Sequence, residues 1–291
     1  MSEYQYYEFQ AVDRPLTRAQ MAVLRACSSR ATITPTRFVN SYSYGRFKGD
    51  ERKWRERYFD AFLYQANWGA RHLSLRLPAA QVPFKEARRY CGGGAAEARR
   101  HGRYVIFDLS SDDEEGGDWV EEDDGQMASL VPLRGELAGG DLRPLYLAWL
   151  GRAQAGELEP DAVEPPPPPG LGSLTAPQEA LADFLRLDRD LLLAAAAGSH
   201  PSLPSMDVAD LRTWVRELPE SKKSELLVGF LKGDGERLRS DIVRDVRRTA
   251  EASSGLARRP ARTVASIVEH GERRSRARAT GKGRRRPPAE S

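Results

Sequence analysis

Five consecutive prolines, Pro165 to Pro169, constrain this 291-residue chain more than any other feature. Each fixes its φ at about −65° and offers no backbone N–H, so neither a helix interior nor a central strand runs through them. Glu164 precedes the run and Gly170-Leu171-Gly172-Ser173 follows it. The segment reads as an extended, semi-rigid spacer. A linker over 158–175 then separates an α+β domain (1–157) from a helical bundle (176–252) and a basic, largely disordered tail (253–291). An SH3-type ligand needs basic flanks, which Glu164 and Gly170 do not supply.

In the first unit, Tyr4 to Val12 is aromatic and partly alternating and stops at Asp13-Arg14-Pro15, which predicts a strand. Thr17 and Gln20 make a capping-box spacing, and Met21, Leu24 and Ala26 suit a helix ending near Ser28. Ala31 to Tyr44 favours strand, with Pro35 marking an edge or a break. Asp50 is an N-cap candidate for a helix over 51–65, which places Trp54, Tyr58, Phe62 and Gln65 on one face. His72 to Leu77 alternates as a strand, 84–90 is a short helix, and the apolar centre of 104–109 predicts a buried strand. A weaker strand over 128–133 precedes a helix over 142–153 with Asp141 at its start and Pro144 in its first turn. Strands polar on one face favour α+β with a mixed sheet over a doubly wound fold.

Beyond the prolines the period is helical. Leu181, Phe184, Leu185, Leu191 and Leu192 predict one helix stopped by Gly198 and Pro201. Three more follow, containing Leu211 and Trp214, then Leu226 to Leu231, then Leu238 to Val246, and together they suit a small bundle.

The formal charge of +3 conceals two opposed segments. Nine of the thirteen residues from Asp112 to Asp124 are acidic, and eleven Arg or Lys stand against three Glu from Gly255 onward. Arg273, Arg274, Arg276, Arg278, Lys282, Arg284, Arg285 and Arg286 make a candidate polyanion contact that works by counterion release. No aromatic residue in the tail offers a base-stacking platform. Arg accounts for 38 of the 45 basic residues, a bias that GC-rich coding also produces.

A membrane-spanning helix, a secretory leader and a collagen-like chain are excluded at this stage. No apolar run approaches the roughly 18 residues a span requires, and Met1-Ser2-Glu3-Tyr4 has no basic or apolar leader pattern. Two cysteines, Cys27 and Cys91, fit a reducing cytoplasm. No phosphate-binding glycine motif, nucleophile elbow or metal-ligand spacing is present, so no cofactor and no metal is expected. Asp108, at the end of the apolar strand, is the best carboxylate candidate. A second candidate surface gathers Tyr42, Tyr44, Arg46, Lys48 and Arg52 around one turn with Asn67, Trp68 and Arg71 at the next. Aromatics interleaved with cations suit bases, phosphates or carboxylates.

Tyr4 to Leu16, Ile33 to Asn40, Phe47-Lys48-Gly49-Asp50, Arg57 to Tyr64 and Ala66-Asn67-Trp68-Gly69 together resemble an uncharacterised family of bacterial hypothetical proteins from GC-rich genomes. The N-terminal YQYYEFQAVDRPL is its most specific segment. The resemblance implies a bacterial cytoplasmic protein and brings no activity or catalytic residue with it. The leading expectation is a non-enzymatic binding or adaptor protein with an unidentified protein partner and non-specific nucleic-acid affinity through the tail. The rivals are an enzyme using Asp108 and the Tyr44 to Arg52 turn, and self-association of the tail with the acidic loop.

Overall fold

The structure, a computed structural model, describes residues 3–45, 47–113, 125–201, 208–232 and 260–283, with 235, 238, 241, 242 and 245. Its centre is a seven-stranded antiparallel sheet in the order β2-β3-β1-β4-β5-β7-β6. The strands are β1 (Gln5–Gln10), β2 (Thr32–Ile33), β3 (Arg37–Tyr42), β4 (Ala61–Ala66), β5 (Arg71–Pro78), β6 (Ala96–His101) and β7 (Tyr104–Ser111). The expected α+β class holds, and Pro35 breaks 31–44 into the edge strand β2 and its neighbour β3.

Period-two alternation divides the sheet into two unlike faces. Register sets Leu73 opposite Leu109 and Leu75 opposite Phe107, and these fully buried residues meet a layer of helices. That layer holds α3 (Phe84–Ala87), α4 (Gln126–Leu130), α5 (Leu133–Ala138), α6 (Arg143–Gln154), α7 (Ala176–Phe184) and α8 (Arg189–Ala196). On the other face, α1 (Arg18–Cys27) and α2 (Glu51–Arg57) cover an aromatic cluster of Tyr7, Phe9, Phe38, Trp54, Phe59 and Phe62. Phe9 lies 4.5 Å from Phe62 and 5.3 Å from Trp54 between ring centroids. The capping box Thr17–Gln20 starts α1, and Asp50 accepts the Lys53 N–H at 2.9 Å to start α2.

Several expectations are corrected. The single helix over 51–65 is α2 followed by strand β4, because the chain turns at Tyr58–Asp60. There the Asp60 N–H joins Gln10 O, and its carboxylate accepts the Val12 and Asp13 N–H groups and pairs with Arg76 at 2.7 Å. The strand expected over 128–133 is helical, since Met127, Leu130, Leu133 and Leu137 bury one helical stripe across α4 and α5. Strand β6 was not anticipated. The helix expected through 181–192 is two, divided at Arg186, which adopts the left-handed φ of 53° usual for glycine at a helix end.

The segment expected as a spacer is packed. The Tyr90 hydroxyl donates to Pro166 O, Ser199 Oγ to Pro168 O, and Arg143 to Gly170 O. Leu171 and α7 share one buried cluster with the sheet. Within the tail over 253–291, expected to be largely disordered, Val264–Gly283 form a 20-residue helix, α11 here, lying along α8, while 253–259 and 284–291 lie outside the described residues. Helices α9 (Val208–Glu217) and α10 (Glu220–Leu231) are two of the helices expected of the bundle, and Leu227, Phe230 and Leu231 of α10 are exposed. The fourth expected helix, 236–250, lies almost wholly outside the described residues.

Among the described residues no helix is long and apolar enough to cross a membrane.

Candidate functional site

Helix α2 is only seven residues long, so it covers the aromatic half of its sheet face and stops short of β7 and β6. The uncovered half carries the polar members of the same alternation. His72 and Ser74 on β5, Asp108 and Ser110 on β7, and Glu97 and Arg99 on β6 stand side by side across the register. Helical spacing places Glu51 and Arg55 one turn apart at the edge of this ground. The result is a cavity of about 630 Å³ walled by sheet and helix.

Asp108 is its centre. Arg55 Nη1 makes an ion pair with Oδ1, His72 Nε2 lies 3.2 Å from the same oxygen, and Arg99 Nε lies 3.4 Å from Oδ2. Burial alone would raise this carboxyl. The His72 hydrogen bond, the Arg55 charge and the Ser74 hydroxyl overcome it and hold Asp108 well below the ordinary carboxylate range. Glu51 moves the other way, because burial raises it and the nearby charges of Arg55 and His72 only partly compensate. Two carboxyls in one cavity therefore sit on opposite sides of their ordinary value.

Two tyrosines close the aromatic side. The Tyr7 and Tyr64 hydroxyls both donate to Gln5 Oε1, at 2.8 and 3.3 Å. Burial, then mutual proximity and Glu51, raises Tyr7; burial and Glu51 push Tyr64 up to about 12. Both stay neutral donors. Phe62 packs edge-on against His72 at 5.4 Å and beneath the Arg55 guanidinium at 5.4 Å, so the dyad and its arginine rest on a rigid ring.

A glycine shapes the rim. Gly94 has a φ of +61°, and a Cβ there would sit 2.0 Å from Glu157 Oε2, whose carboxylate accepts the Ala95 N–H. Gly94 is thus a close approach that leads into β6.

Of the candidate surface, Arg52 and Arg71 line this cavity. Arg71 also reaches the carbonyls of Asp183 and Phe184 on α7. Tyr42 packs edge-on against Tyr7 at 5.7 Å. Asn67 accepts the Tyr4 N–H, a role within the fold. Tyr44, Lys48 and Trp68 are exposed and outside the cavity, and Arg46 lies outside the described residues. Glu51, Arg55, Tyr64, His72, Glu97 and Arg99 are cavity residues the sequence reading did not single out. The available signal was Asp108 itself, one charge inside a run of apolar strand residues, opposite the polar alternation of β5.

Cys91 is buried, and burial pushes its thiol up to about 12, which leaves it inert. Among the described residues no three His, Cys, Asp or Glu side chains come together as a metal cage. On α11, Arg273, Arg274, Arg276 and Arg278 are exposed, with Arg276 near Glu272 at 2.9 Å and Arg278 near Asp190 at 2.8 Å. Arg284, Arg285 and Arg286, the side chain of Lys282, and most of the acidic loop lie outside the described residues.

No protein-family model, no curated protein and no solved structure matches this chain.

Proposed function

We propose that the chain is an enzyme of general acid–base type, acting on a small polar molecule in the cavity beside α2. The observation that carries this reading is the opposed pair of carboxyls, Glu51 raised and Asp108 depressed, lining one cavity. Environments that push two titratable groups apart assign an acid and a base. Glu51, protonated more readily than an ordinary glutamate, is the proton donor. His72 is the acceptor, and Asp108 orients its ring and stabilises the imidazolium that forms. Tyr64, a neutral hydroxyl on the cavity wall, positions the substrate by hydrogen bonding.

Turnover of a panel of esters, amides, glycosides and isomerisable hydroxy acids tests it. The expected result is one class turned over by the native chain and lost in Glu51→Gln and His72→Asn. A carboxyl-selective NMR titration accompanies the panel. A Glu51 that titrates as an ordinary glutamate, with no turnover in any class, sinks the reading.

A second reading rests on α11. Four exposed arginines on one helix favour the polyanion contact expected of the tail, without any adaptor role being required. It predicts heparin or duplex DNA affinity that falls steeply with salt and drops when Arg273, Arg274, Arg276 and Arg278 all become Gln.

A further inference from the structure

We infer that the cavity beside α2 selects ligands carrying an oxyanion, a phosphate or a carboxylate, and seats that group on the guanidinium pair Arg55 and Arg99. This deepens the acid–base reading and rests on it for the location of the site.

Three guanidiniums, Arg52, Arg55 and Arg99, share two carboxylates, Asp108 and Glu56. Asp108 serves Arg55 through one oxygen and Arg99 through the other, while Glu56 takes Arg52 at 3.0 Å and Arg99 at 2.8 Å. Glu51 is the remaining anion beside Arg55, and its burial favours the protonated form. With Glu51 protonated, the cavity lining carries four guanidiniums, Arg52, Arg55, Arg71 and Arg99, against three carboxylates, Glu97, Asp108 and Asp112, and Glu56, paired with Arg52 and Arg99, brings the local sum to zero. The Arg55 and Arg99 side chains are only 14% and 18% exposed, so water does little to screen an anion seated on them.

Arg55 Nε and Arg99 Nη2 are buried and have no hydrogen-bond partner. Buried guanidinium N–H groups are costly to leave unmatched. Both arginines line the cavity, as do neutral Tyr64 and Ser110. A ligand oxyanion that enters past Arg71 would satisfy both after a small rotation of the guanidinium planes. Planar guanidiniums match phosphate and carboxylate oxygens as forks, which lysine cannot do. Seated there, the anion would place the remainder of the ligand beside Glu51 and His72.

The test is calorimetric titration of the full chain with inorganic phosphate and, separately, succinate, at constant ionic strength, with a neutral polyol as control. Saturable binding of at least one oxyanion is expected, weakened about tenfold or more in Arg55→Lys and in Arg99→Lys, as loss of charge-assisted hydrogen bonds implies. Circular dichroism establishes that both variants remain folded. Lys85→Ala, an exposed cation outside the cavity, is expected to bind as the native chain does. Preference between phosphate and succinate names the source of the oxyanion. Absence of saturable binding for both, or binding that survives both lysine variants, or binding lost in Lys85→Ala, overturns the inference. Turnover of a neutral substrate without oxyanion binding would leave the acid–base reading standing and remove this one. Oxyanion binding that persists in a Glu51→Gln chain without activity supports both.

Discussion

At Asp108 one carboxylate holds Arg55, Arg99 and His72 in place, so its removal leaves the two largely buried guanidiniums without their shared counter-charge. Asp108→Asn is expected to cost roughly 3–5 kcal/mol of stability, as for other buried pairs that lose a partner. The pH dependence follows from the sign of the shift. A carboxyl held below its ordinary value contributes stability above the unfolded value, about 3.9, and loses it as pH falls through the folded one. Denaturant midpoints of native and Asp108→Asn chains should therefore differ most above about pH 4 and converge in acid. Glu51 gives the opposite result. Its ionised form is disfavoured in the fold, so Glu51→Gln is expected to raise the melting temperature at neutral pH while removing the proposed proton donor. A site that is destabilising where it is reactive would show this pair of opposite shifts in one calorimetric series. Asp108 was legible in the sequence as a charge in an apolar strand. Its partners were not, because Arg55, His72 and Arg99 come from three elements whose adjacency only strand register supplies.

Elements were read well where a local signal decided them and poorly where tertiary context did. The capping box at Thr17, the N-cap Asp50 and the alternation of β5 are local, and each is found. Strand β6, Ala-Glu-Ala-Arg-Arg-His, has little intrinsic β preference and exists because β7 offers it a partner edge. Residues 61–66 share their aromatic content with the helix before them, and only the Asp60–Arg76 pairing shows why the chain reverses there. The basic composition of the tail concealed the apolar stripe of α11. That helix docks by close approach: a Cβ at Gly271 would lie 2.9 Å from Leu191 Cα, and Val264 and Ile267 are buried. Gly271→Leu is expected to lift α11 from α8. Hydrogen exchange would then show amides over 264–275 losing protection while those of β5 and β7 keep theirs. Uniform protection across both would contradict close packing as the anchor.

At the scale of the molecule, the proline segment joins rather than separates. Glu164, at its start, is buried and forms a forked ion pair with Arg262 at 2.6 and 2.7 Å, and it accepts the Tyr146 hydroxyl. Arg262 continues to the carbonyls of Ala194 and Ala195. The backbones of Val163 and Thr263 also form a bridge. Three distant stretches of chain, at α6, at the prolines and before α11, thus close on one buried charge pair. A chain ending at Gly255 separates the two views of the C-terminus. An independent basic tail would leave the fold unharmed when removed. In this architecture the truncation strips Val264 and Ile267 from the core, at about 1.5–3 kcal/mol each. It also leaves Glu164 buried without its guanidinium, a further cost on the order of 3 kcal/mol. Such losses approach the whole stability of a typical domain, so the truncated chain should show a collapsed melting transition and expose apolar surface to a fluorescent dye. The full-length chain with Arg273, Arg274 and Arg276 changed to Gln keeps every one of these contacts, and the pair of Arg278 with buried Asp190, and should melt within about 0.5 kcal/mol of native. A truncated chain as stable as the native one would mean that the terminal helix is an appendage. Collapse of the truncated chain beside an unharmed glutamine variant would separate the two roles of α11: an apolar face that closes the fold and a cationic face free to bind.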